Sequence, residues 1–283
     1  MANSAAMKYQ KTGQFYGETN ETLNLEGLTL TDTVYTHPKV DWHYHENAYF
    51  TLILQGNMIE GNKKEVYHCP AGTLLYHHWQ EPHYNIKPEG FTRGFHLELT
   101  QDWFSHFDID RYHLQGSINI ADPDIKLLLY RVFKETKLKE VSCMLSIQQL
   151  LLQALTFDQP SCCPGKPPLW VRRLKEILYA VPDKQLSLHE LSGMLDIHPV
   201  HLSRGFPKYF GCNLGEYVRK IKVERSLHLL AEKLQSLSEI AFACGFADQS
   251  HFFRCFKEIC GIGPNAYRKL LTGRPGNVNP VLF

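Results

Sequence analysis

A chain of 283 residues with 43% hydrophobic content is long for one domain and comfortable for two, each with a core of its own. Its net charge of +1 excludes a uniformly basic nucleic-acid coat, yet the charge is split: residues 170–274 carry 16 Lys+Arg against 10 Asp+Glu, the remainder 14 against 19. Residues 1–30 hold no apolar signal core, no apolar run reaches membrane-spanning length, and the eight cysteines form no C-x-x-C pair, so a cytoplasmic protein with reduced thiols and no membrane partner is expected.

Residues 1–35 are polar and weakly patterned, which predicts a frayed start leading into a first strand near Leu28–Thr36. From Val40 to Leu99 the chain reads as strands. Ala48–Gly56 is aromatic and β-branched, Gly56-Asn57 and Gly61-Asn62 are turn dipeptides, and EVYHCPAGTLLY and FTRGFHLEL follow. Short strands with turns at short spacing predict a sandwich or barrel. His43-x-His45 puts two imidazoles on one face of a strand, a spacing that suits a metal chelate or a polar pocket wall. His77, His78, His83 and His96 follow, with aromatic residues Trp42, Tyr44, Tyr49, Tyr76, Trp79 and Tyr84 among them. A small-molecule pocket lined by Trp42, His43, His45, Tyr49, Tyr76, His83 and His96 is expected, although several of these residues also suit a plain core.

After Trp103 the pattern becomes helical, over Asp122–Lys137 and Glu140–Phe157. In the second segment Met144, Ile147, Leu150, Leu151 and Leu155 form an apolar stripe that needs covering, by a second copy or by the β-rich region itself. Four prolines with Gly, Ser and the pair Cys162-Cys163 mark a linker over residues 158–169.

The C-terminal part reads as helices with explicit ends. Trp170–Tyr179 comes first. Ser187-x-x-Glu190 and Ser236-x-x-Glu239 are capping boxes, each opening a short helix. Each is followed by a turn and a second helix: Pro199 at an N1 position begins one, and Asp248 caps the other, which runs from Gln249 to about Ile259. Gly245 and Gly261 supply left-handed ends. Helix, turn, helix occurs twice, over 187–211 and 236–261, joined by a long helix from Asn213 to about Leu234. Gly205 and Pro207 fall inside the first reader; glycine costs about 1 kcal/mol and proline about 3 in a helix interior, so a shorter or bent helix is expected there.

The residues Ile240, Ala241, Gly245, Phe246, Asp248, Gln249, Ser250, His251, Phe252, Arg254, Phe256, Lys257, Gly261, Pro264, Tyr267 and Arg268 stand in an order that resembles the C-terminal signature of the AraC/XylS family of bacterial transcription regulators. His201, Leu202, Ser203, Arg204, Phe206 and Gly211 match its first helix-turn-helix. The resemblance implies that Val200, Ser203 and Arg204, then Gln249, Ser250, Phe253 and Arg254, face bases, while His251, Arg219, Lys220 and Lys257 suit phosphates. It also implies a homodimer, an encounter with RNA polymerase, and activation more than repression.

The stretch from His43 to His83 resembles a cupin barrel, the sensor domain usual in that family, with Pro70-Ala71-Gly72 and Pro82-His83 standing for its second motif. The carboxylate expected after His45 is replaced by Ala48-Tyr49-Phe50, and Leu75 stands where an enzyme would place histidine. No metal or other cofactor is therefore expected; if one binds, His43, His45 and His83 are the donors.

The expected architecture is multidomain α+β: a cupin-like jelly-roll barrel with trailing helices over 1–157, a linker over 158–169, and an all-α DNA-binding domain over 170–283. The expected function is a regulator of transcription, not an enzyme, that binds double-stranded DNA and answers to a sugar or aromatic effector. The rival is a metal-dependent cupin enzyme fused to a DNA-binding module. A third reading is a ligand-free regulator whose sensor domain docks a partner protein.

Overall fold

The computed structural model describes residues 7–109, 118–138, 140, 142–156, 167–180, 186–232 and 235–273. Residues 157–269 form one compact unit, and residues 1–156 with 270–283 the other. Most of the expected linker, 158–166, lies outside the described residues.

The N-terminal unit is built from two sheets. Its strands are β1 (Lys8–Gln10), β2 (Glu18–Leu25), β3 (Leu28–Val34), β4 (Lys39–His45), β5 (Ala48–Gln55), β6 (Asn57–Asn62), β7 (Val66–Pro70), β8 (Leu74–His77), β9 (His83–Ile86), β10 (Arg93–Leu99) and β11 (Ile118–Asn119). One sheet has the order β1-β4-β9-β6-β7, the other β11-β8-β5-β10-β3-β2. All pairs are antiparallel except β1 with β4.

The expectation of a frayed start is corrected: residues 8–10 and 18–25 are strands. The sequence ETNETLNL hides its strand because both faces are exposed or half-buried, which leaves no apolar alternation to read. Its pairing with β3 comes from the hairpin at Gly27, whose φ of +71° suits glycine.

Three helices follow in this unit: α1 (Gln101–His106), α2 (Pro123–Leu138) and α3 (Cys143–Thr156). Thr100 caps α1 by accepting from the Trp103 N–H. Phe133 of α2 meets Phe95 of β10 edge-on at 5.3 Å, so α2 covers one face of the six-stranded sheet. Ile147, Leu150, Leu151 and Leu155 of α3 are buried within the single chain, with α2 packed alongside, so most of the apolar stripe is already covered without a second copy. Met144, with Leu145 beside it, remains exposed.

A buried ion network fastens α2 to the sheet. Arg93 donates to both oxygens of Asp32, at 2.7 and 2.6 Å, and Lys137 Nζ donates to Asp32 Oδ2 at 2.5 Å and Glu21 Oε2 at 2.7 Å. Asp32 and Arg93 are almost fully buried. Such a group of charges is tolerated only when each is matched.

The C-terminal unit is helical: α4 (Leu169–Ala180), α5 (Leu188–Leu195), α6 (Pro199–Phe210), α7 (Leu214–Ala231), α8 (Leu237–Ala243), α9 (Gln249–Cys260) and the larger part of α10 (Pro264–Thr272). Its first half closes on Val171, Leu174, Leu178, Leu191, Leu195, Leu202, Phe206 and Phe210. In the second half Phe252, Phe256 and Tyr267 are fully buried, each worth about 2–3 kcal/mol of apolar transfer.

The expected shortening of the first reader is also corrected. Helix α6 runs unbroken for 12 residues through Pro207, the same length as α9. Burial of Phe206 and Phe210, stacked at 4.1 Å, and the left-handed cap at Gly211 hold the last turn despite the missing proline N–H. Gly205 is where α4 comes close: a Cβ there would stand 3.1 Å from the Trp170 ring. Its helix cost is exchanged for that contact.

Candidate nucleic-acid interface and inter-sheet cavity

Both recognition candidates are set by local chemistry at their ends. In the first unit Ser187 and Glu190 satisfy each other's backbone N–H groups, Asp196 turns the chain at φ 54°, and His198 caps α6 by accepting from the Val200 N–H through Nδ1 at 3.3 Å. In the second, Ser236 and Glu239 form the same box, Gly245 turns at φ +72°, and Asp248 accepts from the His251 N–H at 2.7 Å. The apolar faces then point inward, Leu202, Phe206 and Phe210 on α6 and Phe252, Cys255, Phe256 and Cys260 on α9.

The opposite faces hold the residues expected to meet DNA. Val200, Ser203 and Arg204 are exposed on α6; Gln249, Ser250, Arg254 and Lys257 are exposed on α9. His251 and Phe253 are half-buried, His251 standing edge-on to Phe246 at 5.5 Å. His201 and Lys208 share the exposed side of α6 with Arg204 and line an open 480 Å³ hollow with Trp170 and Tyr209.

Two supporting contacts were not legible in the sequence. Ser238 Oγ donates to Gln249 Oε1 at 2.8 Å, which orients the Gln249 amide from the preceding helix. Lys222 of α7, buried, donates to the Gly245 carbonyl and holds the turn between α8 and α9; a cation there also suits the C-terminal end of α8. Burial lowers its pKa from the ordinary lysine value. Ser238→Ala is expected to leave the melting temperature unchanged and to weaken DNA binding by about 0.5–1.5 kcal/mol, read by fluorescence anisotropy. A loss of folding instead would show that Ser238 serves the helix and not the reader.

Between the two sheets of the N-terminal unit lies a cavity of about 20 Å³. Of the residues expected to form a small-molecule pocket, His43, His45, Tyr49, His83 and His96 line it. Trp42 and Tyr76 do not. Strand alternation sends Trp42 outward, where it is 40% exposed and meets Tyr84, and turns Tyr76 onto Phe50 on the other side of its sheet. Three residues outside the expected set converge here. Glu60 reaches the site from β6, His77 lies beside Tyr49 at 4.2 Å between ring centres, and Phe15 stacks on His96 at 3.6 Å. For two of them the signal is cross-strand register, which pairs Glu60 with Asn85 and His77 with Tyr49; Phe15 comes from the segment between β1 and β2.

Burial governs the charge state of the group. It pushes His83 and His96 down to about 3 and His45 and His77 well below the ordinary histidine value, with the neighbouring imidazoles adding to the effect at His45, His77 and His83. It pushes the Glu60 carboxyl up to about 8, against the Asn85 amide that donates to it at 3.1 Å. The imidazoles are thus neutral at physiological pH.

Two capped helix-turn-helix units with exposed polar leading faces over an aromatic core define a DNA-binding domain. Residues 191–270, most of the C-terminal unit, match the family described as Helix-turn-helix domain. The chain is 27% identical over 168 residues to the transcriptional regulator GbdR of Pseudomonas aeruginosa, covering 58% of this chain and 45% of that protein. It is 23% identical over 186 residues to the transcriptional activator RhaS of Escherichia fergusonii, covering 63% and 64%. Against the probable transcription factor PqrA of Proteus vulgaris the identity is 41% over 69 residues, or 24% of this chain and 57% of that one. The chain thus spans about half the length of the curated relatives it matches. Among solved structures, ToxT from Vibrio cholerae aligns over 88% of this chain and 100% of its own, at 14% identity and a TM-score of 0.38. No helix among the described residues is long and apolar enough to cross a membrane.

Proposed function

We propose that this chain is a sequence-specific transcription regulator, acting in the bacterial cytoplasm, whose helices α6 and α9 enter successive major grooves on one side of the duplex. The observation that carries the reading is the matched pair of 12-residue helices, each capped at both ends, on either side of α7. The 18 residues of α7 span about 27 Å, close to the roughly 34 Å of one DNA turn. Arg204 and Arg254 suit guanine O6 and N7, Gln249 adenine, and Phe253 a thymine methyl, with Val200, Ser203 and Ser250 beside them. His251 and Lys257 suit phosphates and set register. Homodimerisation and contact with RNA polymerase belong to the same reading.

The N-terminal unit is then the receiver of a signal. A sugar or aromatic effector needs a pocket of several hundred Å³. The inter-sheet cavity has about 20 Å³, with Phe15 stacked against its wall, so an organic molecule enters only if those side chains move.

Selection of bound duplexes from a random library, followed by hydroxyl-radical footprinting, tests the DNA reading. Two protected segments spaced by about one helical turn are expected, with Arg204→Ala erasing one and Arg254→Ala weakening the other. A single protected segment, indifferent to Arg204→Ala, would sink the two-reader reading.

A further inference from the structure

The N-terminal unit has a second hollow, of about 340 Å³, formed by the hairpin at Gly27, helix α1 and helix α3. It shares no lining residue with the inter-sheet cavity. Ligand pockets are ordinarily about 300–1,000 Å³, so an organic molecule fits here without side chains moving aside, which the inter-sheet cavity of about 20 Å³ does not allow.

Local backbone chemistry builds the hollow. The Thr100 N–H donates to the Gly27 carbonyl at 3.0 Å, and Thr100 Oγ1 accepts from the Trp103 N–H at 3.3 Å, so one residue fastens the hairpin to α1. The approach is close enough that a Cβ on Gly27 would stand 2.9 Å from Trp103 Cβ. Trp103 is thereby buried, and its ring stands 4.9 Å from that of Phe107, which is half-buried and keeps aromatic surface open. Gln148 of α3 completes the wall.

The polar groups of this wall are not used by the fold. Glu26 and Asp102 are exposed, and among the described residues neither carboxylate has a hydrogen bond or an ion pair. No Lys or Arg stands with them in the lining. Two unpaired anions beside one hollow favour a cation in it. The rings add to that preference, since a cation within about 6 Å of an aromatic face is attracted by its quadrupole. Trp103 Nε1 is also buried without a hydrogen-bond partner. Such a donor in a native fold needs an explanation, and an acceptor on a bound molecule, a phenolic hydroxyl for one, supplies it.

We propose that the hollow between the Gly27 hairpin, α1 and α3 binds a small aromatic amine as its ammonium ion, with Glu26 and Asp102 at the charge and Phe107 and Trp103 against the ring. The inference deepens the proposed function, and its meaning as a signal rests on that reading; the site itself stands on the N-terminal unit alone.

Tyramine is the probe, titrated into the full chain by calorimetry. Neutral tyrosol and anionic 4-hydroxyphenylacetate share its ring and hydroxyl and differ at the charged end. One tyramine per chain is expected, bound about tenfold or more tighter than either counterpart. Glu26→Gln combined with Asp102→Asn should remove that preference and leave the melting temperature unchanged, because both side chains are exposed and unpaired. Glu89→Gln, at an exposed carboxylate outside the lining, should change nothing. Absence of saturable binding overturns the proposal, as does equal binding of the three compounds, or tyramine binding that the double variant retains in full. If the double variant fails to fold, Glu26→Gln alone, in the hairpin, takes its place. DNA affinity is measured with and without tyramine. An intact DNA complex without tyramine binding removes the site and leaves the regulator; tyramine binding without any DNA complex does the reverse.

Discussion

Replacing Arg254 with alanine is expected to lower affinity for the selected DNA site by about 1–3 kcal/mol, roughly ten- to hundredfold, and to relax preference at one base pair. The side chain is exposed midway along α9, across the helix from Phe252 and Phe256, which are fully buried. Truncation therefore leaves the core intact, and the melting temperature should not move. Lys257, one turn further on and also exposed, provides the contrast. Lys257→Ala should weaken binding about equally on all sequences and reduce the salt slope by about one, as loss of a phosphate contact does. Competition binding with single-base variants of the site separates the two. If Arg254→Ala loses affinity uniformly, the residue only holds the backbone, and the assignment of α9 as the reading helix loses its main support.

The second large effect is on stability. Asp32→Asn should destabilise the N-terminal unit by about 3–5 kcal/mol, because Arg93 and Lys137 would remain beside each other in the interior without their shared anion. Acid should reveal the same group in the wild type. Burial pushes the Asp32 carboxyl up, but the hydrogen bond and charge of Arg93, joined by Lys137, outweigh it and hold the group at about 2 against an ordinary value of 3.8. A depressed folded pKa stabilises above the unfolded value and is lost as pH falls through the folded one. The contribution, about 2 kcal/mol, is thus complete above about pH 4–5 and disappears as pH falls towards 2. Urea unfolding of wild type and Asp32→Asn between pH 7 and pH 2 checks both points. A variant within 1 kcal/mol of wild type at pH 7, or with the same acid slope, would show that the network contributes little.

Helix ends were readable because they are local. Ser187 with Glu190, Ser236 with Glu239, and Asp248 lie within three residues of the N–H groups they satisfy, so their spacing alone places α5, α8 and α9. The same holds for the apolar faces of α6 and α9, which follow from a period of 3.6. The histidines of β4 were visible as a shared strand face for the equivalent reason, a period of two.

Long-range placement decided the rest. Glu60 comes next to His83 only through the pairing of β6 with β9, and His77 through that of β8 with β5. Phe15 closes the cavity from a segment whose sequence carries no strand period, and Trp42 leaves it because its neighbours His43 and His45 take the inward positions. Gly205 reads as a helix fault until α4 is present to lay Trp170 against it. The sequence by itself therefore determined the two capped helix-turn-helix units and the DNA-binding class they define, since capping and amphipathic period act within one or two turns. Only the tertiary structure decided what the N-terminal cavity contains and how small it is, since side chains from six separate strands meet there through register that no single segment encodes.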